Sequence, residues 1–180
     1  MTSVPVLRTD RLLLRGFTPD DRAPFAALNA DPRVMEHLPA PLSRQQSDAF
    51  VERIEAGWRS RGLGLWAVER LDDGVFVGYV GLWPVRLDLP VRGSVEVGWR
   101  LAASQWGQGL ATEGARQALR FGFDVRGLDE VVSFTSMVNL RSQRVMKRLG
   151  MTRDASGDFD HPALPVAHRL RPQVLYRASA

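Results

Sequence analysis

The sequence predicts an α/β fold around a central mixed sheet, and three observations lead there. Val95, Val97, Trp99 and Leu101 alternate with Glu96, Gly98 and Arg100, the two-residue period of a half-buried strand. Phe50, Val51, Ile54 and Trp58 recur at helical spacing. Strand-like and helix-like segments interleave in the order β-α-α-β-β-β-α-β-α-β-β, which calls for a sheet of about six to seven strands flanked by helices. The 180 residues suit one domain over 1–180, and 44% hydrophobic content is enough for a full core.

Each element has a local cause. Residues 6–15 (VLRTDRLLLR) read as the first strand. Thr18, Pro19, Asp20 and Asp21 form a helix start, with Thr as N-cap, Pro in the first turn and acids at the positive end of the dipole. That helix runs to about Asn29. Asp31 and Pro32 open a short helical piece near Val34–His37, and Pro39 and Pro41 end it. Ser43 caps a longer helix. Residues 64–71 and 75–83 form a hairpin around Asp72-Asp73-Gly74. A loop with Pro84 and Pro90 leads to the strand 93–101, followed by a helix reaching about Phe123. Residues 130–136 make the next strand and 140–149 a helix closed by Gly150. Two strands near 151–159 and 172–178 complete the chain.

Composition narrows the function. There is no cysteine, so neither disulfide nor thiolate chemistry is expected. No run approaches the roughly 20 apolar residues that span a bilayer, and the start lacks a signal-peptide pattern. A soluble cytoplasmic protein with no membrane partner is expected. The formal charge is +4 and Lys147 is the only lysine, so the basic balance is almost all arginine. No concentrated basic run interleaved with aromatics is present, which argues against a nucleic-acid partner. His37, His161 and His168 lack metal-ligand spacing, so no metal is expected.

The chemistry concentrates in residues 105–114, QWGQGLATEG. A helix N-terminus leaves backbone N–H groups unpaired and carries partial positive charge, which together attract phosphate. Glycines let the backbone come close to the oxygens. Trp106, Gly107, Gln108, Gly109, Leu110, Ala111 and Thr112 would line such a cradle, with the Thr112 hydroxyl as a further donor. A P-loop is excluded because the only lysine lies 38 residues after Gly109. A Rossmann fingerprint fits poorly, because the loop follows the fourth strand and Gly114 lies five residues from Gly109.

A second segment, NLRSQRVMKRLGM at 139–151, begins at the C-terminal end of the next strand. With it, the chain from about residue 5 to 178 resembles the GNAT superfamily of acyl-CoA N-acyltransferases. It looks most like the branch that includes the ribosomal-protein N-terminal acetyltransferases. The family motif Arg/Gln-x-x-Gly-x-Gly/Ala appears as Trp106-x-x-Gly109-x-Ala111, with Trp at the first position. The opening LRTDRLLLR and the Asn139, Ser142, Leu149-Gly150-Met151 pattern also match this branch.

The resemblance implies the GNAT fold, splayed between its fourth and fifth strands, and acetyl-CoA as cosubstrate. Its pyrophosphate would sit on the 107–112 amides, and its pantetheine beside the strand holding Trp99 and Leu101, with Asn139 and Ser142 contacting that arm. Glu96, opposite Val95 and Val97 on its strand, is the expected base; its alternative is a carboxylate paired with an arginine. Many members carry a tyrosine as the thiolate's acid where this chain has Met146, and Ser142 is the expected substitute; its alternative is a helix cap. Glu113 reads as a helix-dipole acid, and Lys147 and Arg144 as a solvated face or a contact to the 3′-phosphate. His161 would border the acceptor site, and residues 29–45 would wall it. The acceptor is expected to be a protein N-terminus or a small-molecule amine, and a homodimer is the family-level expectation. The alternatives are a catalytically silent acetyl-CoA-binding sensor and a basic protein that binds nucleic acid or ribosome.

Overall fold

The computed structural model describes residues 4–85 and 89–180. In chain order its elements are β1 (Leu7–Arg8), β2 (Leu12–Arg15), α1 (Arg22–Ala30), α2 (Pro32–Met35), α3 (Arg44–Arg61), β3 (Leu65–Arg70), β4 (Phe76–Pro84), β5 (Val95–Leu101), α4 (Leu110–Arg120), β6 (Glu130–Ser136), α5 (Leu140–Arg148), β7 (Thr152–Arg153), β8 (Phe159–Asp160) and β9 (Pro172–Ser179). The nine strands form one sheet in the order β1-β2-β3-β4-β5-β6-β9-β7, with β8 also on β9. Every pair is antiparallel except β5 with β6.

That parallel pair meets at a single position, Glu96 opposite Val132, whereas β5 runs against β4 over its whole length from Gly78–Leu101 to Pro84–Val95. Beyond Glu96 the two parallel strands part. The fold is therefore a mixed, open α/β sheet flanked by helices, with the expected splay between the strands 95–101 and 130–136.

The two faces of the sheet can be told apart by parity. Tyr79 meets Phe25 of α1 and Phe50 of α3 at ring distances of 6.0 and 5.9 Å. Its neighbour Val80 lies on the other face, under Gly114 of α4, where an added Cβ would come within 3.2 Å of the valine. The core is one large cluster that includes Phe25, Ile54, Trp66, Val80, Leu82 and Met146, each at most 1% exposed. Trp58 and Trp66 stack edge to face at 4.6 Å, and each indole N–H donates to a backbone carbonyl, Leu65 and Pro5 respectively.

Some elements differ from the sequence reading. The first strand is broken into β1 and β2, because the Thr9 hydroxyl accepts from Leu12 N–H and folds residues 9–11 into a turn. The strand read near 151–159 is likewise two short pieces around a 3₁₀ turn at Ala155–Gly157, anchored where Asp154 accepts from Gly157 N–H. These two breaks raise the strand number to nine. The first turn of the first helix is 3₁₀, Pro19–Asp21, and the short helix sits at Pro32–Met35 rather than 34–37. α4 stops at Arg120 and continues as a π-helical stretch over Phe121–Val125. The middle of the 84–92 loop, residues 86–88, lies outside the described residues. Val85, Leu89 and Val91 around it form a second small core with Val132 and Leu175.

Candidate active site

The N-terminus of α4 is built as the glycine pattern demands. Gly107 and Gly109 both have left-handed φ, +79° and +81°, and Gly109 is the N-cap. A Cβ at Gly107 would meet nothing within 4 Å, so conformation rather than crowding requires glycine there. No side chain caps the helix, and among the described residues no backbone acceptor takes the N–H groups of residues 107–112; the first such bond runs from Glu113 N–H to Gly109 O. Gly107 and Gln108 are exposed, while Leu110 and Thr112 are buried and Thr112 Oγ1 has no partner. A row of uncapped amides at the positive end of a helix fits the pyrophosphate of acetyl-CoA.

Contacts that the sequence reading did not foresee hold this loop in place. Glu113 accepts from Thr9 Oγ1 at 2.6 Å, Arg11 N–H at 2.9 Å and Arg11 Nε at 2.7 Å, and Arg11 Nη1 donates to Gln108 O at 3.0 Å. Burial alone would raise the Glu113 carboxyl, but these bonds hold it below its ordinary value. Glu113 is thus committed to tying α4 to the β1–β2 turn. Trp106 has a similar anchoring use: its indole N–H donates to Leu101 O at 2.9 Å, and the Arg141 guanidinium lies 4.0 Å over its ring. Arg141 in turn pairs with Glu36 at 2.7 Å.

The β6-facing edge of β5 is free after the strands part. Val97 O accepts from Ser133 Oγ and Leu101 O from the Trp106 indole, so odd-numbered residues aim their peptide groups toward β6. Trp99 lies between them with no strand opposite. Across the gap, Asn139 is the N-cap of α5: its Oδ1 accepts from Ser142 N–H, and its Nδ2 donates to Thr135 Oγ1 and Ser142 Oγ. The cap is therefore Asn139 rather than Ser142. The half-buried Ser142 hydroxyl accepts from Asn139 and keeps its own proton to donate.

Glu96 stands at the apex of the splay. It is half-buried and, among the described residues, has no hydrogen bond or ion pair; desolvation pushes its carboxyl up to about 7. No arginine among the described residues pairs with it. It shares a face with Gly98 and Arg100, and a Cβ at Gly98 would meet nothing within 4 Å. Tyr79, opposite Arg100 across the ladder, feels both charges: burial raises its hydroxyl, Arg100 opposes that and Glu96 adds to it. Of the other candidates, His161 Nδ1 accepts from Ala163 N–H, Lys147 is exposed on α5, and His37 is held below its ordinary value chiefly by burial. No group of three or more His, Cys, Asp or Glu that could hold a metal occurs among the described residues.

A mixed sheet that opens at one parallel pair, with an uncapped glycine-rich helix start at the opening, is the arrangement that the resemblance to acyl-CoA-dependent transferases implies. The chain belongs to the GNAT acetyltransferase family: residues 11–152 match the family described as "Acetyltransferase (GNAT) domain". It is 30% identical over 152 residues, 84% of this chain and 87% of the other, to the Bacillus subtilis (strain 168) protein "Uncharacterized protein YkkB". It is 31% identical over 155 residues to the "FsC-acetyl coenzyme A-N(2)-transacetylase" of Aspergillus fumigatus, covering 82% of this chain and 65% of that one. The crystal structure of an acetyltransferase from Agrobacterium tumefaciens str. C58 superposes with a TM-score of 0.81 at 27% identity, covering 99% of this chain and 96% of that one. The protein is an acetyl-CoA-dependent acetyltransferase with the family's α/β fold.

Proposed function

We propose that this protein, as one domain over residues 1–180 acting in the cytoplasm, moves the acetyl group of acetyl-CoA to a primary amine by direct attack in a ternary complex. The observation that carries this reading is Glu96: an unpaired carboxylate at the apex of the splay, raised to about 7 by burial and facing open space over Gly98. Such a group is half ionised near neutrality and can take the proton an attacking ammonium must lose. Acetyl-CoA supplies the activated acyl carbon and a thiolate leaving group. The 107–112 amides hold the pyrophosphate, and the Trp99 peptide on the free edge of β5 pairs with the pantetheine arm and donates to the carbonyl oxygen as charge gathers on it. Ser142 gives a proton to the departing sulfur. The bond from nitrogen to the acetyl carbon forms as the carbon–sulfur bond breaks. Of the two protons the ammonium loses, one goes to Glu96, directly or through a water, and the other replaces the proton that Ser142 passes to the sulfur.

We place the chain in the ribosomal-protein N-terminal acetyltransferase branch, on LRTDRLLLR, WGQGLATE and the Asn139–Ser142 pattern. The acceptor is a protein N-terminus or a small-molecule amine, and the working unit a homodimer. Met146, 1% exposed in the core at the place of the usual tyrosine, favours one other reading, a silent acetyl-CoA-binding module. Thiol release from acetyl-CoA across a panel of amines separates the two. Turnover above the amine-free rate is expected; tight binding of acetyl-CoA with no amine-dependent thiol release would establish the silent module.

A further inference from the structure

Arg100 is held in an unusual way. Its Nη1 donates to Asn29 Oδ1, and Asn29 Nδ2 donates to Ser47 Oγ at 2.9 Å; Asn29 and Ser47 are both 0% exposed. The guanidinium lies 5.3 Å over the Tyr79 ring and 6.0 Å from that of Phe50. A neutral amide and two rings fix its position, yet among the described residues no carboxylate neutralises it. Nε is buried with no partner, and no partner is recorded for Nη2. Because Nη1 is committed, the Nε–Nη2 edge remains, and that is the edge a carboxylate grips with two parallel hydrogen bonds. Other half-buried arginines spend their charge internally, as Arg15 does on Asp21 and Glu69 and Arg177 on Asp154 and Glu130.

Arg100 and Glu96 lie on one face of β5 at opposite ends of the open space over Gly98, about 13 Å apart along the strand at roughly 3.3 Å per residue. One end is a base for an amine and the other a cation without a counter-ion. The open position over Gly98 lies between them, so a molecule placed there would face Glu96 on one side and Arg100 on the other. We propose that the Gly98 slot takes an amine that also carries a carboxylate, and that Arg100 binds the carboxylate and determines acceptor specificity. This rests on the reading of the Glu96 face as the acceptor site. It favours amino-acid-type acceptors over simple alkylamines and polyamines.

The test uses amines matched for length with and without the carboxylate: 6-aminohexanoate against hexylamine, 4-aminobutyrate against butylamine, and lysine against cadaverine. Each is titrated calorimetrically into the protein and assayed by thiol release. A carboxylate preference of about 10- to 10²-fold is expected in at least one pair, the size of a charge-assisted pair of hydrogen bonds. Arg100→Gln should erase that preference through KM or Kd while acetyl-CoA affinity stays within about twofold, and Arg100→Lys should keep part of it. Asn29→Asp gives Arg100 an isosteric internal counter-ion, so it should erase the preference with Arg100 still present. Equal or better binding and turnover of every carboxylate-free member would overturn the proposal, as would a preference that survives both Arg100→Gln and Asn29→Asp. Loss of acetyl-CoA binding in the unmodified protein would instead overturn the transferase reading, and the calorimetric carboxylate preference is measured independently of it.

Discussion

Two clusters of half-buried charge on one sheet are built on opposite plans. At the β2 end, Arg15 pairs with Asp21 at 2.6 Å and Glu69 at 2.8 Å, and Asp21 also accepts from Thr18 N–H and Oγ1. Burial would raise Asp21, but Arg15 and Thr18 bring it below its ordinary value, and Arg15 is raised in turn, chiefly by its bond to Asp21. On β5, Glu96 and Arg100 share one face, and among the described residues neither is paired to a charge. The helix starts repeat the contrast. At α3, Ser43 and Gln46 form a reciprocal capping box, while α4 begins with bare amides. Polar groups that satisfy one another hold the fold, whereas in the proposed reading the unsatisfied ones on β5 and at the start of α4 face acetyl-CoA and its acceptor.

Four substitutions break or sharpen that comparison. The largest effect is expected at Gly109. Gly109→Val forces a β-branched residue to φ +81°, tilts the amides and should weaken acetyl-CoA binding by on the order of 10³-fold in calorimetry, with the circular dichroism of the fold retained. Normal affinity would show that the α4 start is not the cradle.

Asp21→Asn comes next, with an expected loss of about 3 kcal/mol in urea unfolding at pH 7 from leaving Arg15 short of a partner. A depressed carboxyl stabilises above its unfolded pKa, and that contribution is lost as pH falls through the folded value. The difference between Asp21→Asn and the parent should therefore shrink as pH falls below the ordinary aspartate range. A pH-independent difference would mean the Arg15 cluster acts by packing alone.

Glu96→Gln is expected to cut kcat by about 10²-fold with acetyl-CoA affinity unchanged. The parent's kcat should rise with pH through about 7 and then level, because only the ionised carboxylate accepts a proton. The stability effect has the opposite sign to that at Asp21. A raised carboxyl costs stability as pH climbs from its unfolded value toward 7, so Glu96→Gln should leave stability in urea unfolding unchanged near pH 4 and raise it at pH 8 by on the order of 1 kcal/mol. Unchanged kcat would remove Glu96 from the mechanism.

Ser142→Ala is the smallest, with an expected drop of about tenfold in kcat and little change in stability, because Asn139 supplies the α5 cap. A lower melting temperature with full turnover would assign Ser142 to the cap instead.

The parts of this site that are periodic or local were legible in the sequence. Alternation along 95–101 put Glu96 opposite Val95 and Val97, and two glycines ahead of an apolar helical pattern marked the α4 start. The same alternation already placed Arg100 on the Glu96 face, the signal that would have found it. What had no local signal was missed. Thr9 and Arg11 reach Glu113 across 104 and 102 residues, and Arg100 meets Asn29 across 71. The breaks in the first and sixth predicted strands also escaped, because two-residue strands carry no period to read.

By itself, the sequence determined which segments are strand or helix, which side of β5 carries its polar residues, and that α4 starts on glycine, since backbone sterics and side-chain periodicity act over a few residues. Only the tertiary structure decided that β5 and β6 part at Glu96, that burial lifts this carboxyl to about 7, and that Arg100 has no counter-ion among the described residues. Desolvation and charge pairing depend on what the rest of the chain brings alongside, and no short stretch of sequence encodes its own surroundings.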